Sequence, residues 1–419
     1  MNHSPRRRPA RGRTAVAGAL LLACAAPGLT GCGSGNPLAD RPYDASDQVG
    51  VAGAGETRQA DPAKPLEVEA TGGDRITDVT VTDAAGRYVK GELAPDGSRW
   101  HSTGALSAGV HYTVRVSTED EDGAQGRRTI DYETSRAKRV LRLAFGPQSG
   151  TYGVGQPITA ELSEPVSDPA ARAVVERTLR VESDPPVEGA WHWVDNRTLH
   201  YRPQEYWPAH ATIDVQAALE GIKVGGGLYG GPVQGVHLTT GDRVEAITDA
   251  SAHYMTVLKN GQEVRSIPVT TGKPGYATRN GIKVVLGQES FVRMRGTSIG
   301  ISEGSSDAYD LPVYWATRVT WSGEYVHAAP WSEGSQGWDN VSHGCTGMST
   351  ANAKWFFDNV RVGDIVKVVG SAGATMTPFD NGFGDWNMPW KQWREGSALV
   401  AGKREGTGPA DTARLRPQV

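Results

Sequence analysis

The chain has 419 residues, 53 of them glycine and 25 proline, and a formal charge of −4, which is enough length for two or three domains with proper cores. Its first 31 residues hold five arginines and no acid, so the remainder carries −9 and offers no broad basic face. Nucleic acid is thereby disfavoured as a partner, as is charge-driven binding to anionic membrane.

Arg6, Arg7, Arg8, Arg11 and Arg13 precede an apolar stretch from Ala15 to Ala26. That stretch is too short to span a bilayer and has the form of a signal peptide over residues 1–31. Leu29-Thr30-Gly31-Cys32 follows directly and resembles the lipobox of bacterial lipoproteins, in which Cys32 receives a diacylglycerol thioether. Cleavage nearby to give an ordinary secreted protein is the alternative. The lipobox reading predicts an exported chain, lipid-anchored to the outer face of the cell membrane. Residues 32–62 are rich in Gly, Ala and Asp without periodicity, as in a flexible tether.

Alternating segments such as Tyr112-Thr113-Val114-Arg115-Val116 mark a first strand-rich unit over 63–136. Its acidic run Glu119-Asp120-Glu121-Asp122-Gly123 reads as a solvated hairpin loop rather than a calcium site, because no spaced ligand pattern accompanies it. A second unit over 137–242 opens with Val140 to Phe145 and contains the strands Leu199-His200-Tyr201 and Ile213-Asp214-Val215. Short strands at turn-marked intervals make both units immunoglobulin-like β-sandwiches, acting as spacers. Trp191, His192, Trp193 and Trp207 read as core or domain-contact residues in preference to a sugar-stacking platform.

A longer β-rich unit over 243–370 follows. Asn260-Gly261 between two apolar alternating runs predicts a tight hairpin, since both positions tolerate positive φ. Ser349 or Thr350 is placed to cap a short helix running to about Val360, and Gly363-Asp364 turns into the buried strand Ile365 to Val369. Residues 371–400 form a Trp-rich extension, with Trp386, Trp390 and Trp393 expected to pack the tail onto the catalytic unit rather than form a sugar strip. Residues 401–419 read as a disordered tail.

Cysteine accounting singles out one thiol. Cys24 lies in the export segment and Cys32 at the lipidation point, so Cys345 is the one cysteine left in the folded part. His327 precedes it by 18 residues and His343 by two. A lone thiol beside histidines in an exported chain fits no disulfide framework and points to a nucleophile with an imidazole base. Zinc held by His327, His343 and Cys345 is the alternative, although paired Cys-x-x-C and His-Glu-x-x-His patterns are missing.

Tyr254 to Lys273, Val326-His327 and Ser342-His343-Gly344-Cys345-Thr346-Gly347, with the helix and strand after them, resemble the L,D-transpeptidase catalytic domain of the YkuD type. Gly384 to Trp393 resembles the C-terminal extension of actinobacterial members that carry two immunoglobulin-like domains and a membrane anchor. The resemblance implies a mainly β protein: two immunoglobulin-like β-sandwiches, a YkuD-type catalytic domain with a short helix, and an extension. It makes Cys345 the nucleophile and His327 its base, oriented by the main-chain carbonyl of Ala328, with Trp331 to Val341 as a flap between them. Gly344 and Cys345 supply oxyanion amides. Tyr309 and Met294 match lid residues, with Tyr309 a further oxyanion donor. Ile299 stands where some relatives have a second tyrosine, and Gly347 replaces a common asparagine. Ser342 is a pocket residue, and His343 a pocket or secondary proton-carrying residue.

The implied reaction uses peptidoglycan stem peptides. Cys345 attacks the amide between the third-position diamino acid and D-alanine, and a neighbouring amine resolves the thioester as a 3→3 cross-link. No cofactor is required, and carbapenem β-lactams are implied as inhibitors. The alternatives are an L,D-carboxypeptidase with the same nucleophile and a non-catalytic wall-anchored spacer. Arg293, Arg295 and Arg318 are candidate contacts for stem carboxylates, none singled out.

Overall fold

The computed structural model describes residues 41–51 and 59–400. The export segment, Cys32 and the tail from 401 lie outside the described residues. Strand dominates throughout. The first strands form two four-stranded sheets around Leu66, Val68, Trp100, Val114 and Val116. Two of these strands, Tyr43–Asp44 and Val49–Val51, come from the segment read as tether. Tyr43–Asp44 pairs in parallel with Gly126 and Arg127, and Ala45 and Val49 are buried. Two isolated apolar residues carry no periodicity, so nothing local marks them as core. The acidic run joins the strands His111–Glu119 and Gln125–Glu133 as a hairpin, with the Asp120 carboxylate accepting the amides of Asp122 and Ala124.

The next two four-stranded sheets lie between Leu143 and Thr240. A helix absent from the sequence reading, Pro169–Thr178, is capped by Asp168 through the Ala171 amide at 2.7 Å. Trp191, Trp193 and Trp207 are core residues, and the last two satisfy their indole N–H groups on Glu176 and the Gln156 carbonyl. This unit meets the catalytic unit by close backbone contact: Gly153 and Gly155 donate to the carbonyls of Val362 and Gly363 at 2.8 and 2.9 Å. A Cβ at Gly153 would lie 2.2 Å from the Asp364 amide nitrogen, so only glycine permits this approach.

The Trp-rich extension docks elsewhere than expected. It packs mainly on the preceding β-unit rather than on the catalytic unit. Trp393 is fully buried and donates to the Ala190 carbonyl, and Trp386 donates to Gly155. The Arg202 guanidinium lies over the rings of Trp386, Trp390 and Trp393 at 4.9, 5.3 and 4.5 Å. Asn387 alone reaches the catalytic sheet, exchanging two hydrogen bonds with the backbone of Ile282. The reason is chemical: a buried arginine needs π-faces around it, and Arg202 belongs to the earlier unit. The extension therefore clamps two units together.

The catalytic unit has a five-stranded and a four-stranded sheet. In the first, Tyr254–Lys259 and Gln262–Pro268 form the expected hairpin, with φ of 52° at Asn260 and 80° at Gly261. Ile365–Val369 lies between Val244–Asp249 and Gly281–Val284. The second sheet runs Gly287–Arg295, Asp310–Arg318, Tyr325–Ala328, Thr346–Met348. The helix Thr350–Asn359, capped by Ser349, buries Ala353 and Phe356 against a core that includes Val257, Ile267, Val326 and Met348.

Candidate active site

Strand pairing brings the histidine to the thiol. Tyr325–Ala328 and Thr346–Met348 run parallel, with Val326 opposite Thr346 and His327 opposite Gly347. Cys345 is the residue just before the second strand, so the intervening 18 residues loop out as the flap. The flap is tied down: the Gly337 amide donates to Val269 and the Gln336 side chain to Ala329.

His327 is buried, and its Nδ1 lies 2.8 Å from the Ala328 carbonyl. A carbonyl only accepts, so Nδ1 carries the proton and Nε2 keeps the lone pair. Burial holds the imidazole below its ordinary value, with the Ala328 carbonyl pulling the other way. At neutral pH it is therefore an uncharged base.

The Cys345 thiol is partly exposed, and Sγ lies 3.6 Å from the Gly323 carbonyl, its hydrogen-bond acceptor. Burial pushes its pKa up to about 11; the backbone amide of Tyr325 and the Lys283 ammonium favour the thiolate, and the Glu324 carboxylate opposes it. The resting site is thus neutral thiol beside neutral imidazole, and ionisation must accompany attack. Alkylation of Cys345 by iodoacetamide, followed by intact mass, should keep accelerating past about pH 9.5, the thiolate fraction rising as pH approaches the elevated value. A plateau near the ordinary value of about 8.5 would mean that the folded site does not suppress the thiolate.

Ser342 closes the cysteine turn. Its hydroxyl donates to the Cys345 carbonyl at 2.6 Å and accepts the Gly344 amide at 3.1 Å. This corrects the oxyanion assignment: the Gly344 N–H is already engaged, which leaves the Cys345 amide and the Tyr309 hydroxyl as donors. Gly344 contributes conformation instead, with φ of 121°, a region that side chains rarely adopt. Gly347 exchanges two backbone hydrogen bonds with Thr270, and a Cβ there would sit 2.9 Å from that of Ala329. The glycine is matched to a tighter local packing than an asparagine would allow.

His343 stacks on Tyr309 with ring centroids 5.0 Å apart and meets the edge of Tyr276 at 4.7 Å. Its Nε2 is 3.6 Å from Asp307, beyond hydrogen-bond reach. Burial lowers its pKa, aided by Lys273 and opposed by Asp307. The ring therefore positions the lid tyrosine. Among the described residues no three His, Cys, Asp or Glu side chains group as a metal-binding set.

Two cavities converge on Cys345. One, of about 260 Å³, contains His327, Met294, Leu311, Val313 and Trp331 and is mainly apolar. The other, of about 500 Å³, opens on the Gly323 and Gly344 side and includes Ile299, Arg279 and Glu324. Tyr309 and His343 line both. Arg293 and Arg295 are engaged with Asp310 and Arg318 with Glu289.

Sequence reading missed three residues. Lys283 is 1% exposed and its ammonium sits 2.6 Å from Glu324; Glu324 also accepts from Arg279 at 2.8 Å. The available signal was a lysine inside the apolar run Ile282 to Leu286 and a glutamate directly before Tyr325-Val326, opposite charges in two core-forming strands.

A model for the L,D-transpeptidase catalytic domain matches residues 243–368, and one for a bacterial Ig domain matches 57–223. L,D-transpeptidase 2 of Mycobacterium tuberculosis (strain CDC 1551 / Oshkosh) is 37% identical over 334 residues, 80% of this chain and 81% of the relative. The chain belongs to the L,D-transpeptidase family. L,D-transpeptidase 5 of M. tuberculosis (strain ATCC 25618 / H37Rv) is 33% identical over 346 residues, 81% of this chain and 74% of that one. A solved structure of LD transpeptidase LdtMt1 in complex with imipenem is 37% identical, covering 55% of this chain and 100% of that one with a TM-score of 0.48. In this L,D-transpeptidase, as the sequence led one to expect, the catalytic domain follows immunoglobulin-like structure in a mainly β chain.

Proposed function

We propose that this chain forms 3→3 cross-links in peptidoglycan through a Cys345 thioester. The carrying observation is that Cys345 lies where two cavities meet, with the His327 base in one of them. As the thiol attacks the amide carbonyl carbon, its proton passes to His327 Nε2 while the oxyanion forms at the Cys345 amide and Tyr309. Collapse breaks the C–N bond, and the same proton goes to the departing D-alanine amine. An amine of a second stem then attacks the thioester, gives its proton to His327, and the thiolate leaves and is reprotonated. The free energy of the cleaved amide is carried by the thioester, so the cycle closes without ATP. Lipidation at Cys32 would hold the enzyme at the outer face of the cell membrane with the β-units as spacers. Carbapenems, as strained amides, would acylate the same thiol.

The test is incubation of the protein with a disaccharide-tetrapeptide and mass spectrometry of the products. A dimer lacking one D-alanine supports the proposal. Free tripeptide in its place would make the enzyme an L,D-carboxypeptidase, and unchanged substrate would leave a spacer.

A further inference from the structure

The second cavity carries an unbalanced charge. Glu324 is the shared acceptor of two cations, Lys283 at 2.6 Å and Arg279 at 2.8 Å. One carboxylate against two cations leaves a unit of positive charge, and burial decides where it is expressed. The Lys283 side chain is 1% exposed and Glu324's 8%, whereas that of Arg279 is 42% exposed and lines the cavity that reaches Cys345 and Gly344. Arg279 donates to Glu324 through Nη1 and through its backbone amide. Among the described residues no other acceptor is seen for its guanidinium, which retains donors aimed at a fork-shaped anion. Lys283 neutralises Glu324 from beneath, so the carboxylate does not cancel the arginine.

On the proposed transpeptidase reading, the two cavities serve two substrates, and the polar one suits the incoming amine. We infer that Arg279 selects an acceptor whose attacking amine sits on a carbon that also bears a free carboxylate. Such an amino acid end places a carboxylate one bond from the nucleophilic nitrogen's carbon, so that one group reaches Cys345 while the other meets the guanidinium. Amidation of that carboxylate removes the negative charge and replaces one acceptor oxygen with a donor, which faces Arg279 unfavourably. An acceptor with a plain terminal –CH2–NH2 leaves Arg279 without a partner.

The test is a competition using the full chain in detergent. A tetrapeptide donor is offered with equal amounts of two acceptor tripeptides, one carrying the free carboxylate beside its amine and one the amide, and both adducts are read by mass. The wild type should favour the carboxylate by about tenfold, as one charge-assisted hydrogen-bonded contact would give. Arg279→Gln should bring the ratio close to one, and Arg279→Lys, which keeps the charge without the fork, should fall between. A wild-type ratio of one overturns the inference without any variant, as does a preference that Arg279→Gln leaves unchanged. D-alanine release is followed in the same tubes: its absence overturns the transpeptidase reading itself, whereas release with an indifferent acceptor overturns Arg279 alone.

Discussion

Replacing Cys345 with alanine should abolish D-alanine release and dimer formation, a loss of at least about 10⁴-fold, as expected when the nucleophile of a coupled catalytic set is removed. The variant exchanges one sulfur for a hydrogen in a partly exposed side chain whose hydrogen bond to Gly323 is long. Stability should therefore change little, less than about 1 kcal/mol. The backbone hydrogen bonds of Ser342 with Gly344 and Cys345 do not involve the sulfur, so the turn survives. His327 also keeps its Ala328 contact. Intact His327 cannot rescue activity by activating water directly, because collapse of a water adduct still has to be organised on the position the sulfur held. The measurement is D-alanine release beside the melting temperature. Turnover above one part in a hundred of wild type would remove Cys345 from the role given to it.

Local chemistry made some of this architecture legible. Asn260-Gly261 announces its hairpin because both residues tolerate the left-handed region, and Ser349 announces its helix because a hydroxyl can take the Asn352 amide. The union of His327 and Cys345 is different. Their spacing alone is compatible with many folds, and it is the parallel pairing of two strands across a looped-out flap that joins them; the family resemblance supplied this, not periodicity. Trp393 shows the opposite failure. A cluster of tryptophans signals burial, but the partner that receives it, Arg202, lies in another unit and interacts through the ring face, which a linear pattern does not encode. Tyr43–Asp44 and Val49–Val51 escaped for a third reason: strands of two and three residues gain their stability from the sheet they join.

The Lys283 and Glu324 pair was the least legible part of the site, and it yields the sharpest stability prediction. Glu324→Ala leaves the Lys283 ammonium buried with its principal counter-charge gone, which should cost roughly 3–5 kcal/mol. Arg279 cannot compensate, since it is another cation. Burial already holds the Lys283 pKa down, and the Glu324 carboxylate is what raises it back. Without that carboxylate the folded pKa falls further while the unfolded one stays at the ordinary lysine value. Between the two, the unfolded chain binds more protons than the folded one, so stability rises with pH. The deficit of Glu324→Ala relative to wild type should accordingly be full at neutral pH, below the folded pKa, and shrink as pH climbs toward the lysine range. Pairing the change with Lys283→Met removes both desolvation penalties at once and should recover most of the loss, because a buried ion pair replaced by apolar side chains is often neutral or better. Urea unfolding of the two variants at neutral and alkaline pH measures this directly. If Glu324→Ala alone costs under about 1 kcal/mol, as a solvent-exposed pair would, Lys283 is not held as a buried ammonium, and the surplus charge assigned to Arg279 loses its foundation as well.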